Sequence, residues 1–296
     1  MEMNLLILNF NFMKSIYSIS CLTLLITLFS CDKVDAPYGE SKKADTTTSD
    51  TEVVMRKIFI EDFTGHYCGN CPRAARTLSQ IHDLYGDKIV PLAAHVSEQF
   101  AAPAGVYYPK DYRTETGNEF DSYFGNSATG LPNGLVNRKE FNGQTIIQYT
   151  DWSSRAAELL ALPPEAFMWI TPNYNSGSRT LNVSIKTKIL QDIDEGLSIA
   201  LYLSEDSVIS AQKDYDQIPD NLVENYVHRH MLRGSISGTW GNTLSASSTY
   251  NTGEEFTTTG TFTLPVEWND EHVEIIAVLF RTATKEVVQA EDQKIK

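Results

Sequence analysis

The feature that most constrains this chain is a pair of cysteines, Cys68 and Cys71, set as C-x-x-C between an apolar run and a helical stripe. The run RKIFIEDF, from Arg56 to Phe63, is apolar and β-branched enough for a central strand. In the following CGNCPRAARTLSQIHDLYG, Ala74, Leu78, Ile81 and Leu84 fall at spacings of three and four, which predicts one buried helix face. KIVPLAAHV, from Lys88 to Val96, reads as a second strand, parallel to the first because a helix joins them. A strand, a cysteine turn, a helix and a strand form the setting in which C-x-x-C signifies redox chemistry. Open N–H groups and the positive dipole end at a helix start stabilise a thiolate, which makes Cys68 the attacking sulfur. Cys71, about a turn away, is placed to resolve a mixed disulfide.

Over EDFTGHYCGNC the chain resembles the thioredoxin superfamily. Tyr67 holds the place of the aromatic residue that precedes the first cysteine, and Asp62 that of the buried aspartate six residues before it. The resemblance implies that Asp62 accepts a proton as Cys71 becomes a thiolate. Pro132, in TGLPNGLVNR, stands where the superfamily carries a cis-proline that leaves a backbone edge for an extended peptide; a surface carboxylate and an ordinary loop proline are the plainer alternatives. After it, Leu135–Arg138, a turn at Asn142 and Gly143, and TIIQY predict a hairpin, closed by a helix over DWSSRAAELLAL. Residues 98–125 form an aromatic-rich insertion, expected to hold a short helix near Phe120 and either to overhang the site as a substrate-selecting lid or to be a surface excursion with no role. His66, two residues before Cys68, would stabilise the thiolate, shuttle a proton, or simply cap a turn.

Metal chemistry would need His66, Cys68, Cys71 and a fourth ligand such as His95, but zinc sites draw on two well-spaced ligand pairs and the second is missing. Haem attachment requires a histidine where Pro72 stands. His228 and His230, in YVHRHML, fall on one face of a predicted strand without a carboxylate or cysteine nearby in sequence. No cofactor and no metal are therefore expected.

The N-terminal part carries an address. From Met13, the better start, MKSIYSISCLTLLITLFSC offers one lysine, an apolar stretch from Ile16 to Phe29 that includes Cys21, and small Ser30 before Cys31. Such a run is short for a membrane span and reads as a signal peptide over residues 1–30. LFSC resembles the lipobox of bacterial lipoproteins, which implies acylation of Cys31 and an envelope location. Residues 31–54 are polar and aperiodic, a flexible tether. A formal charge of −14 argues against nucleic acid or an anionic lipid surface as a general electrostatic partner.

Leu162-Pro163-Pro164 ends the helical pattern, and short alternating runs follow. Seven strand candidates between residues 163 and 296 predict an antiparallel, immunoglobulin-like sandwich. The expected fold is thus an α/β thioredoxin-like domain over 55–162 followed by an all-β domain over 163–296. Taken together, the lipobox leader, EDFTG before CGNCP, the GLPNG loop and YVHRHMLRGSISGTWG resemble the twenty-eight-kilodalton outer-membrane protein family, which implies an outer-membrane lipoprotein. The expected function is an envelope thiol–disulfide oxidoreductase acting on protein thiols or disulfides and held to the membrane through acylated Cys31. The competing expectation is a non-catalytic lipoprotein that binds a partner through its β domain. Oligomeric state is not legible in the sequence.

Overall fold

The computed structural model describes residues 54–296. The expectations for the signal peptide, for acylation of Cys31 and for the tether fall on residues 1–53, outside the described residues.

Strand β1 (Ile58–Thr64) is buried along its whole length, as its near-continuous apolar run requires. Helix α1 (Cys71–Tyr85) follows with Pro72 in its first turn, where a missing N–H costs nothing. It buries Ala74, Leu78 and Ile81. Leu84, expected on that face, is 67% exposed. Tyr85 packs against the core instead, because a step of four from Ile81 continues the stripe better than a step of three. Strand β2 (Ile89–His95) then pairs with β1 in parallel, Asp62 opposite Ala93.

The insertion forms a helical turn at Glu98–Ala101 and helix α2 (Glu115–Phe124), whose Phe120 is fully buried. Strand β3 (Asn133–Val136) runs antiparallel to β1. The hairpin predicted after it is reduced to isolated bridges, Gly134 to Ile147 and Phe141 to Gln144. Helix α3 (Trp152–Leu160) closes this part and buries Trp152, Ala156 and Leu159.

Ten strands follow: β4 (Ala166–Asn175), β5 (Thr180–Ile189), β6 (Leu197–Glu205), β7 (Val208–Lys213), β8 (Leu222–His228), β9 (Met231–Ser235), β10 (Asn242–Thr243), β11 (Glu255–Thr263), β12 (Val273–Arg281) and β13 (Val287–Lys294). The large sheet runs β13-β12-β6-β9-β2-β1-β3, with β10 beside β6. A three-stranded sheet, β11-β5-β4, and the separate pair β7-β8 complete the set.

The molecule is therefore mixed α/β with extensive sheet, but the expected boundary at 162–163 does not divide it: residues on both sides share one sheet and one compact unit. Alternation along β6 supplies the reason. Leu197, Ile199, Leu201 and Leu203 join one apolar cluster with Leu181, Val183 and Ile185 of the three-stranded sheet. Ala200 and Tyr202 face the other way and join Phe59, Phe63, Leu92 and Phe120. A strand buried on both faces needs a covering layer on each, and the N-terminal half supplies the second. The seam is reinforced by Arg138, which pairs with Glu61 at 2.7 Å in a fully buried site under the rings of Phe59, Phe120 and Phe280. YVHRHMLRGSIS, expected as one strand, is two, broken where His230 takes a left-handed φ of 51°. His228 and His230 consequently do not share a strand face. Among the described residues, no helix is long and apolar enough to cross a membrane.

Candidate functional site

Cys68 and Cys71 are joined as a disulfide with a Cα–Cα separation of 5.4 Å. Cys71 is the first residue of α1, and Cys68 lies in the turn before it, where the Cys71 N–H donates to the Cys68 carbonyl at 3.2 Å. Both sulfur-bearing residues are covered: Cys68 is 3% exposed and Cys71 1%.

Beneath them is a cavity of about 280 Å³ lined by Asp62, Cys71, His95, Tyr226, His228 and His230, among others. Strand alternation on β1 turns Asp62 into it, and Asp62 Oδ1 has no protein partner. Burial pushes the Asp62 carboxyl up to about 8, because nothing offsets the loss of water around its charge. His95, from the end of β2, is also sealed, and neither ring nitrogen has a protein partner. Burial, then the neighbouring His228, His66 and Arg233, holds it well below the ordinary histidine range. His228 is driven down to about 4, chiefly by burial. These imidazoles are neutral near pH 7, so the cavity is lined by proton acceptors and a carboxyl poised close to neutrality.

His66 packs onto the insertion. Its Nε2 lies 3.2 Å from the Ala102 carbonyl, and its ring packs on Tyr108, Tyr112 and His95. The insertion thus grips the approach to the cysteines. The Tyr67 N–H donates to the Phe100 carbonyl at 2.9 Å, and a Cβ on Gly65 would lie 2.3 Å from that same oxygen. Tyr67 itself is exposed, edge-on to Tyr108 and under the Lys213 ammonium.

Sequence reasoning missed the second wall. The hairpin of β7 and β8 lies over the cysteine loop: the Lys213 N–H donates to the His66 carbonyl and the Tyr215 N–H to the Gly69 carbonyl, each at 2.8 Å. Gln212 Nε2 donates to the Cys68 carbonyl at 3.1 Å. Nothing local in the sequence signals this contact, because the partners are 144 positions apart. On the opposite side Pro132, whose bond from Leu131 is cis, shares an open cleft with Asn70, Arg73, Gly130 and Tyr149. Among the described residues, no group of three or more His, Cys, Asp or Glu side chains is placed to hold a metal ion.

The outer membrane protein Omp28 family matches residues 117–296, more than half of the sequence. The chain belongs to this family. Membership in the Omp28 family makes it an outer-membrane protein of the cell envelope. No curated protein matches it. Among solved structures it is similar to HBP35 of Porphyromonas gingivalis, at 13% identity, covering 81% of this chain and 76% of that one, with a TM-score of 0.58. It is also similar to a protein of Agrobacterium tumefaciens, at 12% identity over 82% of this chain and 96% of the other, TM-score 0.50. A domain of the outer membrane lipoprotein Omp28 from Porphyromonas gingivalis matches at 19% identity over 45% of this chain and 89% of its own, TM-score 0.30. At these identities the first two likenesses concern the fold alone.

Proposed function

We propose that this outer-membrane lipoprotein, anchored through an acylated Cys31, is a thiol–disulfide oxidoreductase whose first half is thioredoxin-like. The observation that carries this reading is that Cys71 and the buried, unpartnered Asp62 line one cavity at the start of a helix. A structural disulfide has no use for a desolvated carboxyl beneath it, whereas a resolving cysteine needs a base with a pKa near the working pH. Support also comes from the order of elements: β1, α1 and β2 as a parallel unit, Pro132 before antiparallel β3, then α3.

In the reduced protein the Cys68 thiolate attacks one sulfur of a partner disulfide. A Cys68–partner bond forms, and the partner's other sulfur leaves as a thiolate that takes a proton from solvent. Cys71 passes its proton to the Asp62 carboxylate and attacks Cys68 Sγ, so the Cys68–Cys71 disulfide forms, the Cys68–partner bond breaks, and the second partner sulfur leaves as a thiolate that takes a proton from solvent. Two electrons pass from protein to partner, and the reverse sequence oxidises a dithiol. Pro132 and Asn70 border the cleft in which an extended partner segment would lie. Tyr67 gives that segment an exposed aromatic surface, and His66 acts through packing on the insertion. No cofactor is required.

Replacing Cys71 by Ser removes the resolving thiol, and envelope extracts treated with this variant are expected to yield mixed disulfides on Cys68, visible on non-reducing gels and lost on reduction. Recovery of no covalent partner counts against the assignment. The burial of both cysteines favours a second reading, in which the disulfide is permanent and the molecule only binds a partner through its β layers. Redox titration separates the two: a pair that stays oxidised far below about −270 mV, the thioredoxin range, belongs to the second.

A further inference from the structure

The β7–β8 hairpin is attached to the cysteine loop in an unusual way. Its strands pair with each other and not with the large sheet. An isolated two-stranded ribbon is marginally stable, so its position depends on what it touches: at its base His228 packs against His95 and Tyr112, and its tip meets the cysteine loop and α1. Besides the Gln212 amide bonded to the Gly65 and Cys68 carbonyls, two kinds of contact hold the tip. Lys213, the last residue of β7, and Tyr215, in the turn that follows, donate their N–H groups to the carbonyls of His66 and Gly69. Beyond them, Asp216 pairs with Arg73 at 2.6 Å and also with Arg76, while Asp214 pairs with Arg76 at 3.1 Å; both arginines lie on α1. The N–H groups of a partner polypeptide would satisfy the same two carbonyls.

We propose that the β7–β8 hairpin is a cap, latched to α1 by Asp214 and Asp216, that lifts from the rim of residues 65–69 when a partner polypeptide docks next to Cys68. This rests on the oxidoreductase reading of the pair. The cap explains how a disulfide with 3% exposure at Cys68 meets a protein partner, and the latch is suited to release. Its guanidinium groups are about half exposed and Asp216 is 40% exposed, so salt and solvent screen the Asp216 pairs, whereas the buried Asp214 keeps its pair with Arg76 less screened.

The test uses the full oxidised protein and Asp216→Asn, with Glu255→Gln, which breaks a distant surface pair to Lys186, as control. Hydrogen exchange of residues 208–221 is expected to quicken about fivefold in Asp216→Asn, the loss expected for two surface ion pairs. Reduction of Cys68–Cys71 by dithiothreitol is expected to quicken by the same factor. Added sodium chloride should accelerate both in the wild type and act weakly in the variant, and the double change Arg73→Gln with Arg76→Gln, which also removes the Arg76–Asp214 pair, should quicken both at least as much as Asp216→Asn. Unchanged exchange overturns the latch, and faster exchange without faster reduction overturns the cap. If both quicken but the Cys71→Ser variant traps no partner, the cap stands and the oxidoreductase reading fails.

Discussion

Asp62 lies in the middle of a central strand with its carboxyl closed off from water, and its protonation is coupled to folding. Its pKa of about 8 in the native state, against 3.8 for the free side chain, means that the folded protein keeps a proton the unfolded chain releases. The sign follows: this contribution is complete below about pH 4 and is lost as pH rises towards 8. Asp62→Asn is neutral throughout, so its stability relative to wild type should increase with pH across that window, by on the order of 2–4 kcal/mol. Urea unfolding at several pH values checks this, and the opposing contributions of buried His95 and His228 cancel in the difference. A gap between the two proteins that does not vary with pH would mean that Asp62 is not proton-coupled. The sequence pointed to Asp62 by its place six residues before Cys68, but not to His95 and His228 as neighbours of the same cavity, since strand ends far apart in sequence supply them.

At the scale of elements, the contact of the cysteine turn with the hairpin sets a local steric rule. An added Cβ at Gly69 would come within 2.6 Å of the Tyr215 ring. Gly69→Ala should therefore push the tip outwards, destabilise the protein by about 1–2 kcal/mol and raise the reducibility of the disulfide. Adding Tyr215→Ala should recover most of the loss, a coupling that unfolding of the two single variants and the double variant measures. Strictly additive effects would show that the ring and the turn do not constrain each other. The apolar stripe of α1 was legible because 3.6-residue periodicity is a local property, and its error at Leu84 arose at the helix end, where a stripe shifts by one position at small cost. The hairpin was not legible. VISAQK and LVENYVH are short, half-polar strands whose faces are settled by the rim they meet.

At the scale of the whole molecule, the sheet makes the halves interdependent. Phe59, Phe63, Leu92 and Phe120 lose their cover if Ala200, Tyr202, Ile276, Val278 and Phe280 are removed, and the buried Arg138 loses the Phe280 ring that stacks on it. A fragment of residues 54–162 is expected to lack cooperative unfolding and to be cut rapidly by protease, whereas 54–296 unfolds in one transition. Circular dichroism melts and limited proteolysis of the two decide, and a sharply melting fragment would restore the boundary at 162.

By itself the sequence determined the local facts: that β1 and β2 are strands, that a helix starts at the cysteine pair, and that Cys68 and Cys71 lie close enough to bond. Periodicity and spacing act over a few residues, so nothing more was needed. Only the tertiary structure decided which face of each strand is covered and by what, and it put a ribbon from the second half over the disulfide and a shared sheet across the expected boundary. Burial is a property of two surfaces meeting, and a linear pattern describes one surface at a time.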